Sequence, residues 1–168
     1  MTISLNRSEL EYIGRIVVSC SQIETFLGAL ILIDTVGQNT KPEKEKHEKL
    51  FQEVMRKSFR ARATKFFEIA EHQITDQETL NYIKVELEKI ISWRDVICHG
   101  GFSKLNENEI NVQFWDRASF DNNSGPRSKT IHPQELQQIY LGILEFIKTL
   151  FETFKIDEKI NFWREFYK

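Results

Sequence analysis

Cysteine is nearly absent: the 168 residues hold two, at positions 20 and 98. Two thiols make no disulfide framework, and both lie inside apolar runs, which points to a reduced, cytoplasmic setting. Three Pro and seven Gly exclude a collagen-like or linker-rich chain. Charge of one sign is lacking as well. Against 25 acidic residues stand 23 basic ones, a formal net of −2, so any contact with nucleic acid has to come from a local patch. The amino terminus, MTISLNRSELEY, lacks the basic-then-apolar order of a secretory signal. The longest apolar stretch, Phe26 to Ile33, is short for a membrane span, so no membrane is expected.

What is present is bulk for a core. Hydrophobic residues make up 40% of the chain and aromatic ones 12%, thirteen of them Phe, which excludes intrinsic disorder. A chain of this length reads as one domain, 1–168, able to bury roughly 70% of its unfolded surface.

Four long helical patterns predict an all-α fold. The first covers about Ser8 to Val36, with Ser8 as N-cap, Glu11 completing a capping box and Gly37 as the stop. Its stripe is Ile13, Ile16, Cys20, Ile23, Leu27 and Leu30, at helical spacings of three and four. A connector over 38–48, rich in Lys and Glu, leads to a second helix over about His47 to Gln73. Its stripe is Phe51, Met55, Phe59, Ala63, Phe66 and Ala70. The third runs from the N-cap Asp76 to about Cys98, and the fourth from Pro133 to Phe154 with Leu136, Ile139, Ile143, Ile147, Leu150 and Phe154 inward. Between these two, 102–105 and 110–115 flank Asn106-Glu107-Asn108-Glu109 as a small β-hairpin, and 121–129 reads as a loop. Ile156, Ile160, Trp163 and Tyr167 make a short C-terminal amphipathic segment. The expected architecture is a four-helix bundle with a hairpin and loop insert at about 102–130.

The third helix carries the anomaly. Its stripe, Leu80, Ile83, Leu87, Ile90, Arg94, Ile97, puts an arginine at a core-facing place. A cation there needs an acid, a backbone acceptor or a ligand, because an unpaired buried charge costs several kcal/mol. Asp95 and His99, four residues apart, share a helix face, where a carboxylate can orient an imidazole. Gly100-Gly101 then ends the helix. A plain structural reading remains open at this point: the helix dipole favours cations in a last turn, and glycine caps are common.

The run Trp93-Arg94-Asp95-Val96-Ile97-Cys98-His99-Gly100 resembles the signature of the HEPN superfamily (higher eukaryotes and prokaryotes nucleotide-binding domain), an Arg followed by a polar residue and a His about five positions after the Arg. Asp95 stands where that family more typically has Asn. The resemblance extends over about 8–154 and implies a metal-independent endoribonuclease working in a toxin–antitoxin or phage-defence setting. Arg94, Asp95 and His99 would be its catalytic residues, RNA its substrate and a homodimer its form, with a cognate antitoxin as a possible partner. On that reading His99 takes the proton of a ribose 2′-hydroxyl and Arg94 stabilises charge on the phosphoryl oxygens. The alternative is a non-catalytic module of the same shape that binds RNA, a nucleotide or a partner protein. On an ideal helix, positions five apart diverge by about 140°. The pair therefore converges only through the length of Arg94 and the helix end, or through a second chain.

Other residues carry two readings each. Glu24, bordering the first stripe, is either the acid that holds Arg94 or a solvated edge residue. Arg56, Lys57 and Arg60, in a run that also holds Arg62 and Lys65, form either a basic face that attracts an RNA backbone or a surface helix paired with Glu53 and Glu68. His47, His72 and His132 lie apart from any cluster with metal-ligand spacing, and no cofactor is implied. Cys98 is expected to be a buried small residue.

Overall fold

The computed structural model describes residues 4–37, 44–115 and 124–156. Its elements are α1 (Arg7–Val36), α2 (Lys44–Arg56), α3 (Phe59–Gln73), α4 (Gln77–Cys98), β1 (Gly100–Asn106), β2 (Glu109–Phe114), β3 (Arg127–Ile131) and α5 (Pro133–Phe154). The fold is mainly helical, with five helices and a small three-stranded antiparallel sheet among the described residues. The C-terminal segment past Ile156, including Ile160, Trp163 and Tyr167, lies outside the described residues, as do 121–123 of the expected loop.

The chain divides into two compact units, Met1–Cys20 with Glu88–Glu145, and Ser21–Leu87 with Phe146–Lys168. In the first, α1 begins two residues from the expected cap. Asn6 Oδ1 accepts the Glu9 N–H at 2.9 Å and Glu9 Oε2 accepts the Asn6 N–H at 2.7 Å, so the capping box is Asn6/Glu9 and not Ser8/Glu11. The reason is tertiary. Glu9 Oε1 also accepts from Lys104 Nζ of β1 at 2.7 Å, and both side chains are almost fully buried. Glu11 instead pairs with Arg15 one turn on.

The sheet has the order β1-β2-β3. Period-two alternation explains β2, whose Ile110 and Val112 are fully buried while Gln113 is exposed. Directly paired residues share a face, so the rows Gly100↔Phe114↔Arg127, Phe102↔Val112↔Lys129 and Lys104↔Ile110↔Ile131 all lie on the side of Ile110. Asn106 makes the tight turn, its Oδ1 accepting from Asn108 N at 2.9 Å. Two expectations are corrected here. The first strand starts at Gly100, not Phe102, and the tail of the presumed loop, 127–129, belongs to a third strand. β3 reads Arg-Ser-Lys-Thr-Ile with only Ile131 buried, so it carries no apolar alternation to reveal it.

In the second unit, the helix expected over 47–73 is broken. α2 ends at Arg56, and Ser58, in extended conformation, caps α3 by accepting from Ala61 N at 3.2 Å. The apolar rhythm of Met55, Phe59 and Ala63 continues across the break, which hides it in the sequence. Ile31, Val54 and Ile69 form one buried cluster here, and the rings of Phe66 and Phe154 pack with centroids 5.2 Å apart. Gly37 stops α1 as expected, with φ 79° and its N–H on Ile33 O at 2.9 Å.

The 30 residues of α1 are long and apolar enough to cross a membrane by length and composition, although the continuous apolar run within them looked too short. Half of the most apolar stretch is buried inside the protein, and core helices of folded domains and signal sequences share this length and composition.

Candidate functional site

The site lies within the first unit, where α4 gives way to β1. Only His99 separates the last residue of the helix, Cys98, from the first of the strand, Gly100. Gly100 is required by space at that junction. A Cβ there would stand 2.3 Å from the Val96 carbonyl oxygen and 2.4 Å from Val112 Cγ1, closer than any real contact. The strand therefore leaves the helix end without a spacer, and His99 is held at the turn with its ring exposed to solvent.

Arg94, one turn back, extends along the helix to it. Its Nη1 lies 2.8 Å from His99 Nε2 and 3.3 Å from Asp95 Oδ1. A guanidinium has donors only, so a hydrogen bond between the two requires Nε2 as the acceptor and the ring proton on Nδ1. The divergence expected on an ideal helix is overcome inside one chain, by the reach of Arg94 and the end of α4 at Cys98. Arg94 is not desolvated as a core stripe would require: its side chain keeps 25% of its surface and that of Asp95 38%.

Two residues that the sequence did not single out, Trp93 and Lys129, meet in the structure. Trp93, next to Arg94 on α4, is half-buried, and Lys129 Nζ of β3 sits 3.5 Å from its ring centroid, a close cation–π contact. Trp93 reads as ordinary packing in the sequence, and Lys129 falls in what looks like a loop. Their approach depends on a strand pairing that no local signal announces. Cys98 is exposed, contrary to expectation, because it closes the helix on the solvent side, while Cys20 is buried.

The remaining candidates fall elsewhere. Glu24 belongs to the second unit, where its carboxylate receives Arg62 Nη2 in a short ion pair. Arg62 is 3% exposed, and its Nη1 also donates to Met55 O at 2.8 Å, near the carbonyl end of α2. Arg62 is thus a structural cation, not part of a basic surface. Lys65 pairs with Glu68 at 2.6 Å. Arg56, Lys57 and Arg60 are all exposed, but the break at 57–58 distributes them over two helices and a linker. They therefore do not form one face of a single helix.

Among the described residues no three His, Cys, Asp or Glu side chains gather as a metal-binding group. His132 is used locally, its Nδ1–H donating to Asn108 O at 2.8 Å and its backbone N–H to Glu135 Oε2 at 2.7 Å at the start of α5. Compared with protein-family models, curated proteins and solved structures, the chain matches none.

Proposed function

We propose that the protein is a metal-independent endoribonuclease of the HEPN kind, built as a four-helix bundle with the sheet as its insert. One observation carries the reading: a solvent-accessible guanidinium and an exposed imidazole meet at 2.8 Å at a helix–strand junction.

The chemistry follows from those two groups. At rest the Nε2 lone pair of His99 is occupied by the Arg94 N–H. An RNA phosphate, carrying full negative charge, competes for the guanidinium and releases the lone pair. Nε2 then accepts the 2′-hydroxyl proton, and the 2′-oxygen attacks the adjacent phosphorus. The bond to the 5′-oxygen breaks, that oxygen leaves and takes up a proton, and a 2′,3′-cyclic phosphate remains. Arg94 stabilises the charge that builds on the non-bridging oxygens, a task suited to a planar fork of donors. Asp95, adjoining the guanidinium, holds it in position. The nucleophile is part of the substrate, so this route needs no metal-bound water. The natural form is a homodimer acting on cellular RNA in toxin–antitoxin or defence biology, held in check by an antitoxin protein. Each protomer carries its own Arg94 and His99, so mixing Arg94→Ala with His99→Ala chains restores no activity.

The second reading, a non-catalytic module that binds RNA, a nucleotide or a partner, is favoured by the same resting contact, since it leaves the base engaged. The two part on one experiment. An RNA with a single 2′-deoxy nucleotide at the cleaved position should resist cutting there, while the all-ribose strand yields a cyclic phosphate end. Cleavage at the deoxy position excludes the mechanism, and binding without cleavage selects the module.

A further inference from the structure

The pair alone is poorly equipped to hold a polyanion. The guanidinium of Arg94 already has the carboxylate of Asp95 3.3 Å away, which offsets its charge. The group also stands at the carbonyl end of a 22-residue helix, where the dipole disfavours anions. A strand of RNA requires further cations fixed near this end of α4. β3 supplies one in a defined place. Lys129 Nζ lies against the Trp93 ring at 3.5 Å, and Trp93 is the residue next to Arg94. The sheet register sets Lys129 on the same face as the Gly100 row, with Arg127 two residues along on that face. Adjacent strands are about 4.8 Å apart, so β3 lies roughly 10 Å across from the strand that starts after His99. Lysine and ring hold each other at the surface: the ammonium remains exposed to solvent while its position is restricted, which lowers the entropy lost when it takes up a phosphate.

We infer that Lys129, positioned by Trp93, contacts the phosphate neighbouring the one held by Arg94 in a single-stranded RNA. This rests on the nuclease reading for the identity of its ligand. Lys129 is a positioning residue: it fixes the register of the strand and takes no part in bond making.

The test uses the full-length His99→Ala protein, which binds without cutting, and a labelled single-stranded oligoribonucleotide titrated over a range of salt. Lys129→Gln in this background should weaken binding several-fold and reduce the slope of log affinity against log salt by about 0.7, the value for one phosphate contact on a single strand. Lys129→Arg should retain both. With Trp115 and Trp163 replaced by Phe, emission from Trp93 should change on RNA addition, and the change should shrink in Lys129→Gln. Unaltered affinity and slope in Lys129→Gln, or no RNA binding at all, overturn the inference. The catalytic reading fails separately: if native protein does not cut RNA while the Lys129-dependent slope is present, the nuclease is refuted and the phosphate contact stands. If native protein cuts and the slope ignores Lys129, only the contact is refuted.

Discussion

Arg62 and Arg94 both sit on helices with unbroken apolar stripes, one in each compact unit, and the protein uses them in opposite ways. Arg62 is 3% exposed, with a carboxylate from Glu24 on one nitrogen and the Met55 carbonyl on another. Its charge is committed to joining α1 to the break between α2 and α3. Arg94 keeps a quarter of its side-chain surface in solvent and meets the ring of His99 and the carboxylate of Asp95. A buried cation committed through both terminal nitrogens to a carboxylate and a carbonyl serves the fold, although its Nε is buried with no hydrogen-bond partner among the described residues. On the proposed reading, the partly exposed cation beside His99 is the one a phosphate takes up. The difference lies in the partner, and a one-dimensional sequence does not display partners.

The largest effect should come from the buried arginine. Arg62→Ala or Glu24→Ala breaks this largely buried ion pair and should cost about 3–5 kcal/mol in urea unfolding. Arg94→Ala, measured the same way, should stay within about 1 kcal/mol of native. Equal losses at the two positions would erase the distinction between them.

A smaller effect is expected from Gly100→Ala. The added methyl must displace the Val96 carbonyl or Val112, an overpacking cost of about 1–3 kcal/mol. It should also move His99 away from Arg94, so that RNA cleavage falls much further than stability does. A variant with reduced stability and full activity would show that the junction does not set the pair.

The long helices, their core faces, the Gly37 stop and the Asp76 cap were legible in the sequence, because each follows from periodicity or from a local bond such as Thr79 N to Asp76 Oδ2 at 3.0 Å. Arg94 and His99 stood out in the sequence, and the structure brings them within 2.8 Å. What escaped was decided at long range. The cap moved to Asn6 and Glu9 because Lys104, 95 residues away, requires the Glu9 carboxylate. Arg62 looked like part of a basic surface because Glu24 is 38 residues distant in the chain. β3 and the Lys129–Trp93 contact rest on pairing with β2, and the break before Ser58 was concealed by an apolar stripe that continues through it.

The smallest effect belongs to the surface pair Glu71–Lys84. The Lys84 ammonium, 2.6 Å away, holds the Glu71 carboxyl below its ordinary value of 4.5, first through the hydrogen bond and then through charge attraction. A carboxyl with a depressed folded value contributes stability above its unfolded value and loses it as pH falls through the folded one. Glu71→Gln should therefore lower the melting temperature slightly at pH 7 in low salt, and the difference should vanish in acid and in high salt. A difference that persists in acid would assign the effect to something other than the ion pair.

On the proposed function the partly exposed Arg94 and its histidine act on RNA while the buried Arg62 acts on the fold. The most direct measurement is the rate at which native, Arg94→Ala and His99→Ala proteins, each shown folded by circular dichroism, cut one labelled RNA in EDTA. The native protein should cleave at a rate that the chelator leaves unchanged, and both variants should lose at least about a hundredfold. Cleavage by either variant at the native rate, or native activity that disappears in EDTA, would contradict the proposed function.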